Sequence, residues 1–504
     1  MHSAVIPLGL AFVCWIFVYW IYFRLQSSRR YSYPPGPPIT NLILGNLSDV
    51  PVTRPWLTFT EWAKTYGSIT HFRIFNQHVI VLNSIEDLIE LIGKRTNIYS
   101  DRPQVPMVKL MGWDFTTAMK PYGSEWRIHR RLLQQSFRPA ALLPYQPIQV
   151  KKVHAMLHGI LNTGEDFMEH CRTIAGATVM SIVYDYDIEP KGDYFIRIVE
   201  EALKRISEAV LPGANIANVF PALRFIPSWV PGTGFKQFID PTRVLTHQIQ
   251  EAPMNSVKAR LEAGITPRCM VTKLMERSAN SLSEEDRQAI KAVAATCYTV
   301  SVLGTFFYAM TISPNVQKKA QLEIDSIVGC DRLVDYCDRN SLPYVEAIYR
   351  EVLRWRPVNP LGVPHYTSEE DFYNGFYIPK GTIVITNIWK MSHNSSKYDK
   401  PETFNPDRFF DREGNLPKEH DLYAFGFGRR ICPGRYFASS TVWLVIASVL
   451  QTFHIEQKKD VLGNDIPLEV QYSDGGISHP LPFECSITPR SAKTQELIMG
   501  AVSQ

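Results

Sequence analysis

Between Phe425 and Gly434 the chain reads Phe425-Gly426-Phe427-Gly428-Arg429-Arg430-Ile431-Cys432-Pro433-Gly434, and a helical apolar run follows at once. Glycines let a backbone approach a flat cofactor closely and take turns that other residues resist. A cysteine at the start of a helix meets unpaired backbone N–H groups and the positive end of the helix dipole, and both favour thiolate over thiol. A thiolate of this kind is a known axial ligand of haem iron, pushing electron density onto the metal and favouring O–O cleavage. The spacing of Phe425, Gly428, Cys432 and Gly434 is expected by chance in roughly one chain per thousand of this composition.

Other chemistry-bearing residues repeat at helical spacing. Glu351 and Arg354, at i and i+3, can share one helix face in a charge-assisted hydrogen bond. Glu169/Arg172 and Glu284/Arg287 show the same spacing, so spacing alone selects none of the three. Trp126 and Arg130 lie one turn apart and both offer N–H donors. His154 and His158 also lie one turn apart, but no Glu follows the first and no third ligand accompanies them, which points to a solvated face rather than zinc. There is no Gly-x-Gly-x-x-Gly after a strand and no Walker loop, so the chain carries no nicotinamide or flavin site of its own.

The cysteine loop resembles that of the cytochromes P-450, in wording closest to microsomal fungal members, and the resemblance extends from the Pro-rich segment at residue 34 to about Ser491. It implies haem b (iron protoporphyrin IX) as cofactor and Cys432 as the axial iron ligand, with Phe425 and Gly428 shaping the loop. It implies that Glu351 and Arg354, joined by Arg408 of the segment Pro401 to Phe409, form a structural network. It implies Trp126, Arg130, His365 and Arg430 as partners of the haem propionates. It further implies a monooxygenase that inserts one oxygen atom of O2 into a lipophilic small molecule, in secondary metabolism or detoxification. Electrons would come from NADPH through NADPH-cytochrome P-450 reductase, docking where Arg429 and Arg435 add positive charge. Residues Met107 to Met119 and the Gly475-Gly476-Ile477-Ser478 turn would line the substrate pocket.

One element departs from that pattern. The family's long distal helix carries a Gly-x-acid-hydroxyl element that makes room for O2 and delivers protons. Here Ala294-Ala295-Thr296-Cys297-Tyr298-Thr299-Val300-Ser301 runs directly into Val302-Leu303-Gly304-Thr305, about six residues short. Six helical residues span about 9 Å and 600°, so one flank must shift or the helix must unwind. With the C-terminal flank fixed, Tyr298 falls at the hydroxyl position and Cys297 at the acid. Thr299, Thr296 or Ser301 then become the candidate hydroxyl donors, Thr299 first. Three outcomes remain: a monooxygenase with another proton route, an O2-independent haem-thiolate enzyme that rearranges or dehydrates its substrate, or a haem-binding protein without turnover.

The elements that must position these residues read as mainly α with a minor β portion, the class of the cytochrome P-450 fold. Helical periodicity runs from Glu61 to Tyr66, Gly123 to Phe137, Glu284 to Met310, Pro314 to Val328, Leu342 to Trp355 and Arg435 to Phe453. Ser283 with Asp286 predicts a capping box on the long central helix. Alternation predicts strands over His78 to Leu82, Gly381 to Ile385 and about Phe483 to Ile487. No linker-like tract divides residues 39–504, which read as one haem-thiolate catalytic domain.

Ahead of that domain, Ala4 to Phe23 is a run of 20 uncharged residues, long enough to cross a bilayer as a helix. Arg24, Arg29 and Arg30 follow and place the remainder on the cytoplasmic side. Residues 1–23 are therefore expected to anchor the chain, single-pass, in the endoplasmic reticulum membrane, with 24–38 a basic, Pro-rich linker. A net charge of +4, from 53 Lys and Arg against 49 Asp and Glu, argues against a nucleic-acid partner. Eight scattered cysteines without a CxxC pair suit a reduced, cytosol-facing protein better than a disulfide framework.

Overall fold

The computed structural model describes residues 32–189, 192–210, 218, 225–226, 229–230, 233–277, 283–296, 302–417, 423–474 and 476–502. The proposed anchor over residues 4–23 lies outside them; among the described residues no helix is long and apolar enough to cross a membrane.

The longer helices are α1 (Pro55–Tyr66), α2 (Ser124–Phe137), α3 (Gln146–Asn162), α4 (Phe167–Tyr184), α5 (Tyr194–Val210), α6 (Lys236–Glu262), α7 (Glu284–Thr296), α8 (Val302–Ile312), α9 (Pro314–Ile327), α10 (Pro343–Trp355), α11 (Arg435–Thr452) and α12 (Ala492–Val502). Proline opens α1, α9 and α10, where its fixed φ suits the first turn and its missing N–H costs nothing. α11 buries every residue from Trp443 to Thr452, as a helix apolar on all sides must. Around it the main core gathers Val153 of α3, Phe306 of α8, Ile324 of α9 and Ile348 of α10.

The strands are β1 (Ile69–Ile74), β2 (Gln77–Leu82), β3 (His365–Tyr366), β4 (Asp371–Tyr373), β5 (Phe376–Ile378), β6 (Ile383–Thr386), β7 (Phe453–Glu456) and β8 (Ser486–Pro489). The main sheet has the order β1-β2-β6-β3, with β2 and β6 parallel and Val81 opposite Ile385. β4/β5 and β7/β8 form antiparallel pairs.

Of the 284–310 periodicity the structure describes α7 and α8, with residues 297–301 outside the described set. Each flank has its own burial partners. Ile290, Val293 and Ala294 of α7 pack with Leu132, Leu133 and Phe137 of α2, while Leu303, Phe306 and Phe307 of α8 join the main core. Ser283 does cap α7, accepting the Asp286 N–H at 3.0 Å, but the return bond runs from the Ser283 hydroxyl to the Asp286 carboxylate.

The Pro-rich segment is also more than a spacer, because the carbonyl of Pro35 accepts the His71 N–H of β1 at 2.9 Å. Gly36 is required there: a Cβ would sit 1.7 Å from the His71 carbonyl oxygen.

Candidate functional site

The loop bearing Cys432 is shaped by its own backbone. Gly426 and Gly428 adopt φ of 73° and 57°, and a Cβ on Gly428 would lie 2.4 Å from the carbonyl oxygen of Ile92. The Cys432 N–H donates to the Phe425 carbonyl at 2.8 Å, closing the loop one residue before Pro433. Gly434 caps α11, so the sulfur lies at that helix's N-terminus. Burial pushes the Cys432 thiol up, and the Gly434 N–H, Arg130 and Arg435 oppose that shift. The helix terminus and the two arginines thus favour negative charge on the sulfur, against the cost of its burial.

α2 and three loops bring a set of cations to this face. Arg130 donates to the Ile431 carbonyl, and the guanidinium of Arg430 stacks 4.5 Å from the Trp126 ring. Arg430 donates to the carbonyls of Ser100 and Lys120 at 2.8 and 2.9 Å. A residue that sequence reasoning missed stands beside it. Arg102 donates to the carbonyls of Ala118, Val363 and Pro364 at 2.8–2.9 Å. It is 5% exposed. Nothing in its spacing marks it, since it is a lone Arg before Pro103, positioned only by tertiary contacts.

Burial pushes Arg102 down to about 9, with Arg430 adding to the shift, and burial pushes Arg430 down to about 10. Neither these two nor Arg130 has an ion-pair partner among the described residues. Buried charges are ordinarily paired. Arg102 is buried and Arg130 and Arg430 are half-buried, and three such guanidiniums bonded only to neutral carbonyls fit a ligand that brings its own carboxylates, as haem brings two propionates.

His365 on β3 lies in the same region, 7% exposed. Its Nδ1 lies 2.7 Å from the Tyr99 carbonyl and so carries a proton. Burial, Arg102 and Arg430 hold it well below the usual imidazole range. As a neutral ring its Nε2 is an acceptor, so it donates to a carboxylate only once protonated.

Behind the loop, Glu351 and Arg354 of α10 are fully or nearly fully buried. Arg354 binds both Glu351 oxygens at 2.6 and 2.8 Å, and Arg408 Nε donates to Glu351 Oε1 at 3.1 Å. The Asn405 N–H adds a fourth bond at 2.8 Å. The remaining guanidinium donors hold the carbonyls of Ser392, Pro401, Asp399 and Thr403, tying the 392–408 segment to α10. Glu169 and Arg172, with the same spacing, form a 3.2 Å pair with both side chains more than 40% exposed.

On the other side the picture is thinner. Thr299 and Ser301 lie outside the described residues, as do Cys297 and Tyr298. Thr296, offered above as a hydroxyl donor, donates its hydroxyl to the Ala292 carbonyl at 2.7 Å, the usual fate of a helical threonine. Of the expected pocket, Met107, Met111, Trp113 and Phe115 are buried in one apolar cluster with Ala292 of α7.

Residues 34–480 match the family Cytochrome P450. The chain is 38% identical to cytochrome P450 monooxygenase claR of Ampulloclitocybe clavipes, over 93% of this chain and 89% of that protein. It is also 38% identical to cytochrome P450 monooxygenase ple1 of Rhodocybe pseudopiperita, over 95% and 93% respectively. With cytochrome P450 monooxygenase COX2 of Coprinopsis cinerea it shares 37% identity over 94% and 92%. Matched along most of its length by sequences of this kind, the chain belongs to the cytochrome P450 family of haem-dependent monooxygenases.

Proposed function

We propose that Cys432 Sγ is the axial ligand of the haem iron, and that one oxygen atom of O2 enters a lipophilic small molecule with electrons drawn from NADPH through a flavoprotein reductase. The carrying observation is the set of three guanidiniums, Arg102, Arg130 and Arg430, held beside the Cys432 loop with only carbonyl partners. Bound there, haem supplies the oxygen-activating centre, and a thiolate ligand makes it electron-rich.

The protein's own residues divide the remaining work. The Gly434 N–H, Arg130 and Arg435 favour negative charge on the sulfur. Arg102, Arg430, Arg130 and the Trp126 indole orient the carboxylates, and His365 joins them when protonated. Glu351, Arg354 and Arg408 keep the segment preceding the loop in register with α10. Arg429 is exposed, donating to the Tyr122 hydroxyl at 2.6 Å, and with Arg435 offers a cationic rim to an acidic reductase. The apolar cluster around Met107 and Phe115 excludes water and accepts a hydrocarbon surface. Thr299 is the proton-delivering hydroxyl, Thr296 being committed to Ala292. Residues 1–23 anchor the catalytic domain to the endoplasmic reticulum, and 24–38 link the two.

The test is oxygen uptake by the holoprotein with reductase and NADPH. Substrate-dependent uptake matched by oxygenated product supports the proposal. Conversion of a substrate without uptake favours the O2-independent reading, for which the commitment of Thr296 speaks.

A further inference from the structure

α11 is held in two different ways along its length. Every residue from Trp443 to Thr452 is buried, whereas none from Arg435 to Ser440, the stretch next to Cys432, is. Phe437 packs on Phe137 with ring centroids 5.5 Å apart, but polar tethers hold the residues that follow it. Arg339, on the 3-10 turn Tyr336–Ser341, donates from Nη2 to the Ser439 hydroxyl at 3.0 Å. Gln149 of α3 donates from Nε2 to the Thr441 and Ser440 hydroxyls at 2.6 and 3.0 Å. Successive helical residues project about 100° apart, so Ser439 lies about 100° from Ser440 and about 200° from Thr441. Two tethers arriving from such different directions fix the rotation of the helix about its axis as well as its place.

Both tethers are themselves anchored. Gln149 is wholly buried. Arg339 binds the Glu346 carboxylate of α10 through Nε at 3.0 Å and Nη2 at 2.9 Å, and its guanidinium lies 5.3 and 5.4 Å from the centroids of the Tyr349 and Trp443 rings. Glu346 also accepts from Arg350 Nε at 3.3 Å, and Arg350 Nη1 donates to the Pro417 carbonyl at 2.7 Å. α10 thus carries a second carboxylate shared by two arginines, and this one reaches α11. At the other end of the stretch, Gly434 caps α11 and its N–H favours negative charge on the Cys432 sulfur. A Cβ on Gly434 would lie 4.0 Å from that sulfur. Turning the first part of α11 re-aims this N–H.

We propose that Arg339 and Gln149 are positioning residues: by holding Ser439, Ser440 and Thr441 they keep the Gly434 N–H aimed at the Cys432 sulfur and so set how much electron density the sulfur gives to iron. The inference rests on Cys432 as the axial ligand. An N–H aimed at a thiolate draws charge from it. Losing that aim makes the sulfur a stronger donor, stiffens the iron–sulfur bond and lowers the reduction potential of the haem.

The experiment compares Ser439→Ala, which removes one half-exposed hydroxyl, and Gln149→Leu with the unsubstituted holoprotein. Resonance Raman spectra of the ferric haem read the iron–sulfur stretch, and potentiometric titration reads the reduction potential. Each substitution is expected to raise the stretching frequency and lower the potential, and the two together more than either. Ser439→Thr, which keeps the hydroxyl, restores both values. Ser439→Ala should also convert the red-shifted CO band to that of a neutral-thiol haem about tenfold faster, as loss of one hydrogen bond to a charged group implies.

A lowered denaturation midpoint with stretch and potential unmoved marks a merely structural tether and overturns the proposal. So does a shift that Ser439→Thr fails to restore. Where Gln149→Leu fails to load haem, Ser439→Ala alone carries the test. An unsubstituted protein without the red-shifted CO band overturns the Cys432 reading and this inference with it, whereas a normal band with an unmoved stretch in Ser439→Ala overturns the positioning role alone.

Discussion

On the proximal side the Cys432 loop and the α10 network are fixed atom by atom: a backbone bond from Cys432 to Phe425, two glycines at positive φ, and a buried glutamate shared by two arginines. On the distal side α7 and α8 are held by different partners, one by α2 and the other by the main core, and neither flank relies on the other for its burial. The difference teaches where this chain tolerates change. Removing residues between two independently buried flanks leaves both clusters intact, whereas removing one atom group from the proximal network leaves a buried charge without its partner. On the proposed reading the proximal face holds the cofactor, while turnover depends on the distal face.

That contrast can be broken deliberately, beginning with its strongest point. Glu351→Gln leaves Arg354 and Arg408 buried without their carboxylate and is expected to cost about 3–5 kcal/mol of stability, seen as a lowered denaturant midpoint. Arg102→Gln removes one proximal cation and should speed haem loss at least about tenfold in a transfer assay to apomyoglobin, and it also lowers the fold's own midpoint because the carbonyls of Ala118, Val363 and Pro364 lose their donor.

A pH effect of intermediate size follows from His129 on α2, buried beside Thr117 with their polar atoms 3.1 Å apart. Burial and Lys120 hold it down to about 4. The unfolded chain takes up this proton below about 6.5 and the folded one does not, so stability is complete above that pH and falls as pH drops toward 4. The loss is about 2 kcal/mol at pH 5. His129→Gln should flatten that slope in denaturant titrations at pH 7 and pH 5; an unchanged slope would remove His129 from the account. Smallest of all, Glu169→Gln should change stability by no more than about 0.5 kcal/mol, because its pair is exposed.

The same Glu-x-x-Arg spacing in α4 and α10 shows how far sequence reaches. Spacing places both pairs on helix faces, but only the surroundings distinguish a shared, buried carboxylate from a solvated contact. The Cys432 loop was legible because its glycines and proline are local requirements of one backbone shape. α2, α9, α10 and α11 were legible from period and proline starts, each within a residue or two of its observed ends. Which cluster receives each end of 284–310 was not, because periodicity reports which residues are apolar and not where they pack. Arg102 was invisible for the same reason: its carbonyl partners at Ala118, Val363 and Pro364 are brought together only by the fold.

The central claim is that the sulfur of Cys432 ligates haem iron, and the CO complex of the reduced protein tests it most directly. The account predicts the red-shifted Soret band of a thiolate-ligated haem in the unsubstituted protein and its disappearance in Cys432→Ala. The same red-shifted band in Cys432→Ala would contradict the account.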